Sequence, residues 1–255
     1  MLLALVFLLF LGWLTRPLEA PAWKRVQAGQ PALNLAGIES AVGQGIIIGA
    51  LGGFRAIIAD FLWLQTHTVW QDGERAKLDS MIRLVTSIDP RPLVFWVMSA
   101  RMIAYDVPHW RIREEGGHQE VPVWRQEAIA REQAEQAFAH IRRGLKFHPH
   151  HPELYLEIGK IYLNRLEDPA AAAPWFLRAS QQPGAPYYAA RIYADLLRRQ
   201  GKNAQAYDFL QGLFLRLPDD EPYAQKGIVL ERIRELEETL GITERERFRP
   251  GDREI

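Results

Sequence analysis

Histidines and carboxylates cluster twice in this chain. His148, Pro149, His150 and His151 stand just before Glu153, and a second group comprises His109, Glu114, Glu115, His118 and Glu120. Imidazoles ligate zinc and nickel, and paired carboxylates can share general acid–base work. Neither group has the spacing that such chemistry favours. The first occupies a short turn, where successive side chains point in different directions. The second has no helical His-Glu metal motif and is interrupted by Gly116-Gly117, which suits a variable binding loop. The glycines at 43, 45, 49, 52 and 53 lack the Lys-Ser/Thr ending of a phosphate loop, and Ser40 and Ser80 have no nucleophile elbow around them. The chain has no cysteine, which excludes disulfides, thiolate ligands and a cysteine nucleophile. These residues predict no catalytic centre, no metal and no cofactor, hence a binding protein rather than an enzyme.

Composition narrows the partners. Thirty-one Lys and Arg balance 31 Asp and Glu, so the basic surplus of a nucleic-acid binder is missing and no nucleic acid is expected. The run Met1 to Leu14 is unbroken apolar sequence. It is short of the roughly 20 residues of a spanning helix, and residues 1–22 read as a signal-anchor or a cleaved signal peptide. Membrane contact through residues 1–14 is expected, at a bacterial inner membrane with a single N-terminal anchor. The periplasm is the favoured side for the remainder and the cytoplasm the alternative. A polar linker follows at 23–44. The second apolar stretch, Gly45 to Leu64, contains Arg55 and Asp60, both costly in lipid. It reads as a buried first helix in which the two charges form a structural pair. Nothing in the sequence speaks to the oligomeric state.

Downstream, apolar residues recur at three- and four-residue steps in paired blocks, the period of amphipathic helices. One unit carries Tyr155, Ile158-Gly159, Tyr162, Ala171, Trp175 and Pro183; a second carries Ala190, Tyr193-Ala194, Leu197, Ala206, Leu210 and Pro218; an earlier one carries Trp96, Ser99-Ala100, Ile103, Ala137, Ile141 and Pro149. This spacing resembles the tetratricopeptide repeat (TPR), whose signature is a bulky residue, Leu-Gly, Tyr, Ala, Phe and Pro. Small residues such as Gly159 and Ala171 sit where the two helices of a hairpin cross, and aromatic residues fill the space around them. The leading segment, with Gly52, Gly53, Phe54, Arg55, Ala59, Asp60, Leu62 and Trp63, is similar to that of a group of uncharacterised bacterial membrane-associated repeat proteins.

The resemblance implies an all-α fold, a right-handed superhelical solenoid of antiparallel helix hairpins behind an N-terminal hydrophobic segment. A degenerate leading hairpin would occupy residues 45–92, three repeats 93–218, a closing helix 219–241 and a loose charged tail 242–255. The insertion at 106–125 reads as too polar and broken for a core helix. TPR arrays bind partners on the concave face, lined by the first helix of each hairpin. Spacing then places Arg101, Tyr105, Glu153, Lys160, Asn164, Tyr188, Arg191, Asp195 and Arg198 on that face, facing a peptide segment or a helix of a protein partner. The expected function is a membrane-associated scaffold. The alternatives are a stable structural subunit of a membrane complex and an enzyme using the 106–125 loop.

Overall fold

The computed structural model describes residues 53–250. The apolar run at 1–14, the linker and residues 251–255 lie outside the described residues. Among the described residues the fold is all-helical, with no strand, and none of their helices is long and apolar enough to cross a membrane.

Two helices open the described chain, α1 (Arg55–Gln71) and α2 (Arg75–Ile88). The turn between them is made by Gly73 at φ 71°, a left-handed conformation that costs glycine little and ends a helix. Ala59 and Leu62 of α1 meet Leu84, Val85 and Ile88 of α2. Arg55 faces inward and donates its Nε–H to the Ile88 carbonyl at 2.9 Å. Among the described residues the carboxylate acting on it is Asp89, and Asp60 is exposed. This corrects the expected Arg55–Asp60 pair: five residues of helix put the two side chains on different faces. The outward face of α1 carries Phe54, Ile57, Phe61 and Leu64, each 58–67% exposed.

Pro90 and Pro92 stop α2, and α3 (Leu93–Arg101) begins at once. It runs through a wide π-helical turn, Met102–Asp106, into α4 (Val107–Glu114). A long helix, α5 (Val123–Gly144), returns antiparallel to α3. Here the expected broken insertion at 106–125 is corrected. Val107, Pro108 and Ile112 are buried on α4, and Ile112, Val121 and Ile129 make a small core of their own. Those apolar residues are too sparse to show periodicity against the charged background. Fully burying one such side chain contributes about 1.5–3 kcal/mol, enough to hold a two-turn helix down.

The hairpin α6 (Pro152–Asn164) and α7 (Pro169–Ser180) follows. Asp168 caps α7, its Oδ1 accepting from the Ala171 N–H at 2.8 Å, with Pro169 at the first position. The buried face of α7 is Ala172, Ala173, Phe176 and Ala179, while Ala171 and Trp175 are half-buried. The residue lying over Gly159 is therefore Phe176, one position beyond the Trp175 that the spacing selects. The turn explains the shift: Glu167 takes a left-handed φ of 52°, and the Asp168 N–H reaches back six residues to the Tyr162 carbonyl.

Next come α8 (Tyr188–Arg199), α9 (Asn203–Arg216) and, after a short 3-10 turn at Pro222–Ala224, α10 (Lys226–Thr239). Each helix from α6 to α10 packs on its neighbour in the chain, and α3 also touches α6. The tail expected to be loose is fastened at Phe248, within its described part. Phe248 packs edge-on against Phe214, ring centroids 5.5 Å apart, and its N–H donates to Glu237 at 2.7 Å. Glu237, fully buried, also accepts from the Tyr207 hydroxyl and the Arg234 guanidinium. Burial alone would raise its pKa, but these donors hold it below the usual carboxylate range.

Candidate binding surface

The nine residues assigned to the concave face fall into two sets that meet at Tyr188. The first set lies on α3, the π-helical turn and α6. Arg101 sends both its Nε and its Nη2 to Oε2 of Glu157, at 3.0 and 2.9 Å. The Glu157 side chain is 1% exposed and that of Arg101 is 41% exposed. Beside this pair, the Tyr105 hydroxyl donates to the Lys160 carbonyl at 3.2 Å. Burial, with the Glu157 charge behind it, pushes the Tyr105 pKa up to about 12, so this group acts only as a neutral hydroxyl. Glu153 and Lys160 stand 3.9 Å apart. Burial, and then the Glu153 carboxylate, also raise Tyr188.

The second set lines a groove of about 390 Å³ between α8 and α10. Tyr188, Arg191, Asp195 and Arg198 come from α8, and Ile228, Val229 and Arg232 from α10. Arg191 donates to the Ala224 carbonyl at 2.8 Å, which fixes the turn before α10. Arg198 and Arg232 share Glu235, at 3.1 and 2.6 Å, and Arg199 pairs with Asp195 at 2.8 Å. Four arginines thus meet one aspartate on the groove wall, with Glu235 adjoining, so the surface is net positive over an apolar floor of Ile192, Leu210 and Val229. Surface ion pairs of this kind contribute only about 0–1 kcal/mol each, and an incoming carboxylate can replace them.

Sequence reasoning missed Glu157, Arg232 and Glu235. Glu157 was legible in principle: four residues after Glu153 and three before Lys160, it shares their stripe on α6. The other two belong to the closing helix, which spacing treats as a cover rather than a wall.

The histidine clusters take different roles. In the turn, His148 Nε2 lies 3.1 Å from the Pro90 carbonyl, and His151 caps α6 by accepting the Glu153 N–H. In the insertion, Glu114 and Glu115 are drawn into ion pairs with Arg75 and Arg125, the Arg125 contact being a two-bond fork. His109 and His118, however, face one another, Nδ1 to Nε2, at 3.1 Å. Among the described residues no three histidines or carboxylates converge in metal-ligand geometry. No protein-family profile, no curated protein and no solved structure matches the chain.

Proposed function

We propose that the chain is a non-catalytic scaffold of the TPR type, a right-handed solenoid of helix hairpins. On this reading it is held at a bacterial inner membrane, with the periplasm the favoured side, and binds a protein partner along its concave face. The observation that carries the reading is the groove between α8 and α10. It joins an apolar floor to a net-positive rim, the arrangement that seats one face of a peptide or helix and orients it by charge. The neighbour-on-neighbour packing of α6 to α10, with α3 also against α6, supports the solenoid. A partner segment of few residues would lose its ordering entropy against a surface already fixed by Arg191 and Arg198.

A photo-crosslinking amino acid at Ile228, in the groove, compared with one at Glu135, outside it, tests this in native membranes. We expect a discrete protein adduct from position 228 that disappears in Arg198→Glu/Arg232→Glu and is absent from position 135. Identical adducts from both positions would refute groove binding.

A second reading, a permanent subunit of a membrane complex, is favoured by the outward face of α1. Four large apolar side chains, Phe54, Ile57, Phe61 and Leu64, follow one another at helical spacing and are more than half exposed. Such a patch calls for a standing cover. Co-purification with another protein at fixed stoichiometry, abolished by Phe61→Glu/Leu64→Glu and not by the groove substitutions, would decide for it.

A further inference from the structure

The contact between His109 and His118 is organised from behind. Gln126, on α5, sends its amide Nε2 to two carbonyls, those of His118 at 3.0 Å and Val121 at 2.8 Å. That settles which end of the amide is which. Gln126 Oε1 then faces His118 Nδ1 at 2.8 Å, and an oxygen there requires Nδ1 to carry the proton. In the neutral ring the lone pair is then on His118 Nε2, which faces His109 Nδ1, 3.1 Å away.

We propose that His109 Nδ1 and His118 Nε2 form an open two-imidazole site for a divalent transition-metal ion of the zinc, nickel or copper class. Two nitrogens that each bond a metal at about 2.0–2.1 Å stand about 2.9 Å apart at a right angle and about 3.3 Å apart at the tetrahedral angle. The observed separation falls between these limits. Binding requires that His109 place its proton on Nε2 and that the two rings, which now face one another along the N···N line, each swing by about 40° so that their lone pairs converge on the ion. Gln126 supplies what a ligating imidazole ordinarily has behind it, an acceptor for its other N–H that fixes the ring and raises its basicity.

The surroundings keep both rings available. Both residues are exposed, leaving the remaining coordination positions to water or to a donor from another molecule. The site also lies across the join between α4 and α5, so a bound ion would staple the insertion. The proposal does not rest on the groove reading.

Equilibrium dialysis of the tag-free full chain, in a neutral detergent, against zinc chloride tests it. We expect one saturable zinc per chain. His109→Ala and His118→Ala should each weaken it by more than about tenfold, and Gln126→Ala by about tenfold, with the helical circular dichroism unchanged. The triple variant H148A/H150A/H151A should keep the site. Copper(II) at the same site should give an electron paramagnetic resonance spectrum with coupling to two nitrogens. Isotherms of His109→Ala and His118→Ala that overlay the wild type, or zinc lost only from the triple variant, would overturn the proposal.

Discussion

Gly159→Ala probes the crossing of α6 and α7 directly. A Cβ at this position would lie 2.9 Å from Cε2 and 3.0 Å from Cδ2 of Phe176. Carbon atoms rest at about 3.5–4.0 Å, so the ring must retreat by roughly half an ångström. It has little room: Phe176 is 1% exposed and packs among Leu156, Ala172 and Ala189. Forcing extra volume into such a site costs about 1–3 kcal/mol. With Phe176 hemmed in on all sides the cost belongs in the upper half of that range, about 2–3 kcal/mol; alanine is favoured over glycine inside a helix by about 1 kcal/mol, so the steric loss should prevail by about 1–2 kcal/mol. For a protein of this size that is a fall in melting temperature of about 2–8 °C. Circular dichroism melts and urea denaturation of the full chain would measure it. Phe176→Leu in the same chain should recover part of the loss, a coupling of about 0.5–3 kcal/mol expected of residues in contact. A Gly159→Ala chain as stable as the wild type would show that Phe176 does not lie over Gly159. In that case Trp175→Ala, which should be the milder of the two aromatic deletions, would instead be the costlier.

Two further outcomes follow from buried polar groups. Arg101→Met removes both donors from the buried Glu157 carboxylate. Because Arg101 is itself 41% exposed, water can replace part of what is lost, so a cost of about 2–3 kcal/mol is expected, at the low end for a broken buried pair. Arg101→Met/Glu157→Leu should be more stable than Arg101→Met alone, and denaturation curves showing simple addition of the two single losses would contradict the pairing. His140, fully buried beside Trp96, has its pKa lowered to about 3 by burial and by Arg143. The folded value lies below the unfolded one of about 6.5. Its contribution is therefore complete above pH 6.5 and declines as the pH falls from there towards 3, by about 1.4 kcal/mol per unit. His140→Leu should flatten that limb of the stability profile, and profiles that stay parallel for variant and wild type would count against the assignment.

The helical class was legible because amphipathic spacing is a local property. Trp96, Ala100, Ala137 and Ile141 stand at intervals that only a helix pair can bury together, and they share one core. Asp168-Pro169 likewise announced the start of α7. What spacing could not supply was anything set by a turn. One left-handed residue, Glu167, moves the buried face of α7 from Trp175 to Phe176. The tail was unreadable for a similar reason: Phe248 is a single apolar residue in a charged stretch, and its partner Phe214 is 34 positions away. The candidate surface was half legible. Residues on α6 and α8 follow from helical period, whereas Arg232 and Glu235 reach the groove only because α10 folds back on α9. The histidine pair was named as residue types but not as a pair. His118 stands nine positions after His109, and the turn at Gly116 and Gly117, with φ values of 119° and 95°, decides that they meet.

The π-helical turn at Met102–Asp106 carries one residue more than an α-helix would use over the same span. It acts as a phase shifter. Upstream of it Trp96 and Ala100 are aligned to the hairpin core; downstream, everything on α4 is turned by about 100° relative to an uninterrupted helix. Pro108 is accommodated just past the wide turn, at a position where a regular helix would lose a hydrogen bond and kink. Loss of a single codon between Met102 and Asp106 would swing His109 away from His118, and the same rotation would turn the buried Val107 and Ile112 out of their cores, so the packing of α4 and the imidazole pair depend on one and the same extra residue.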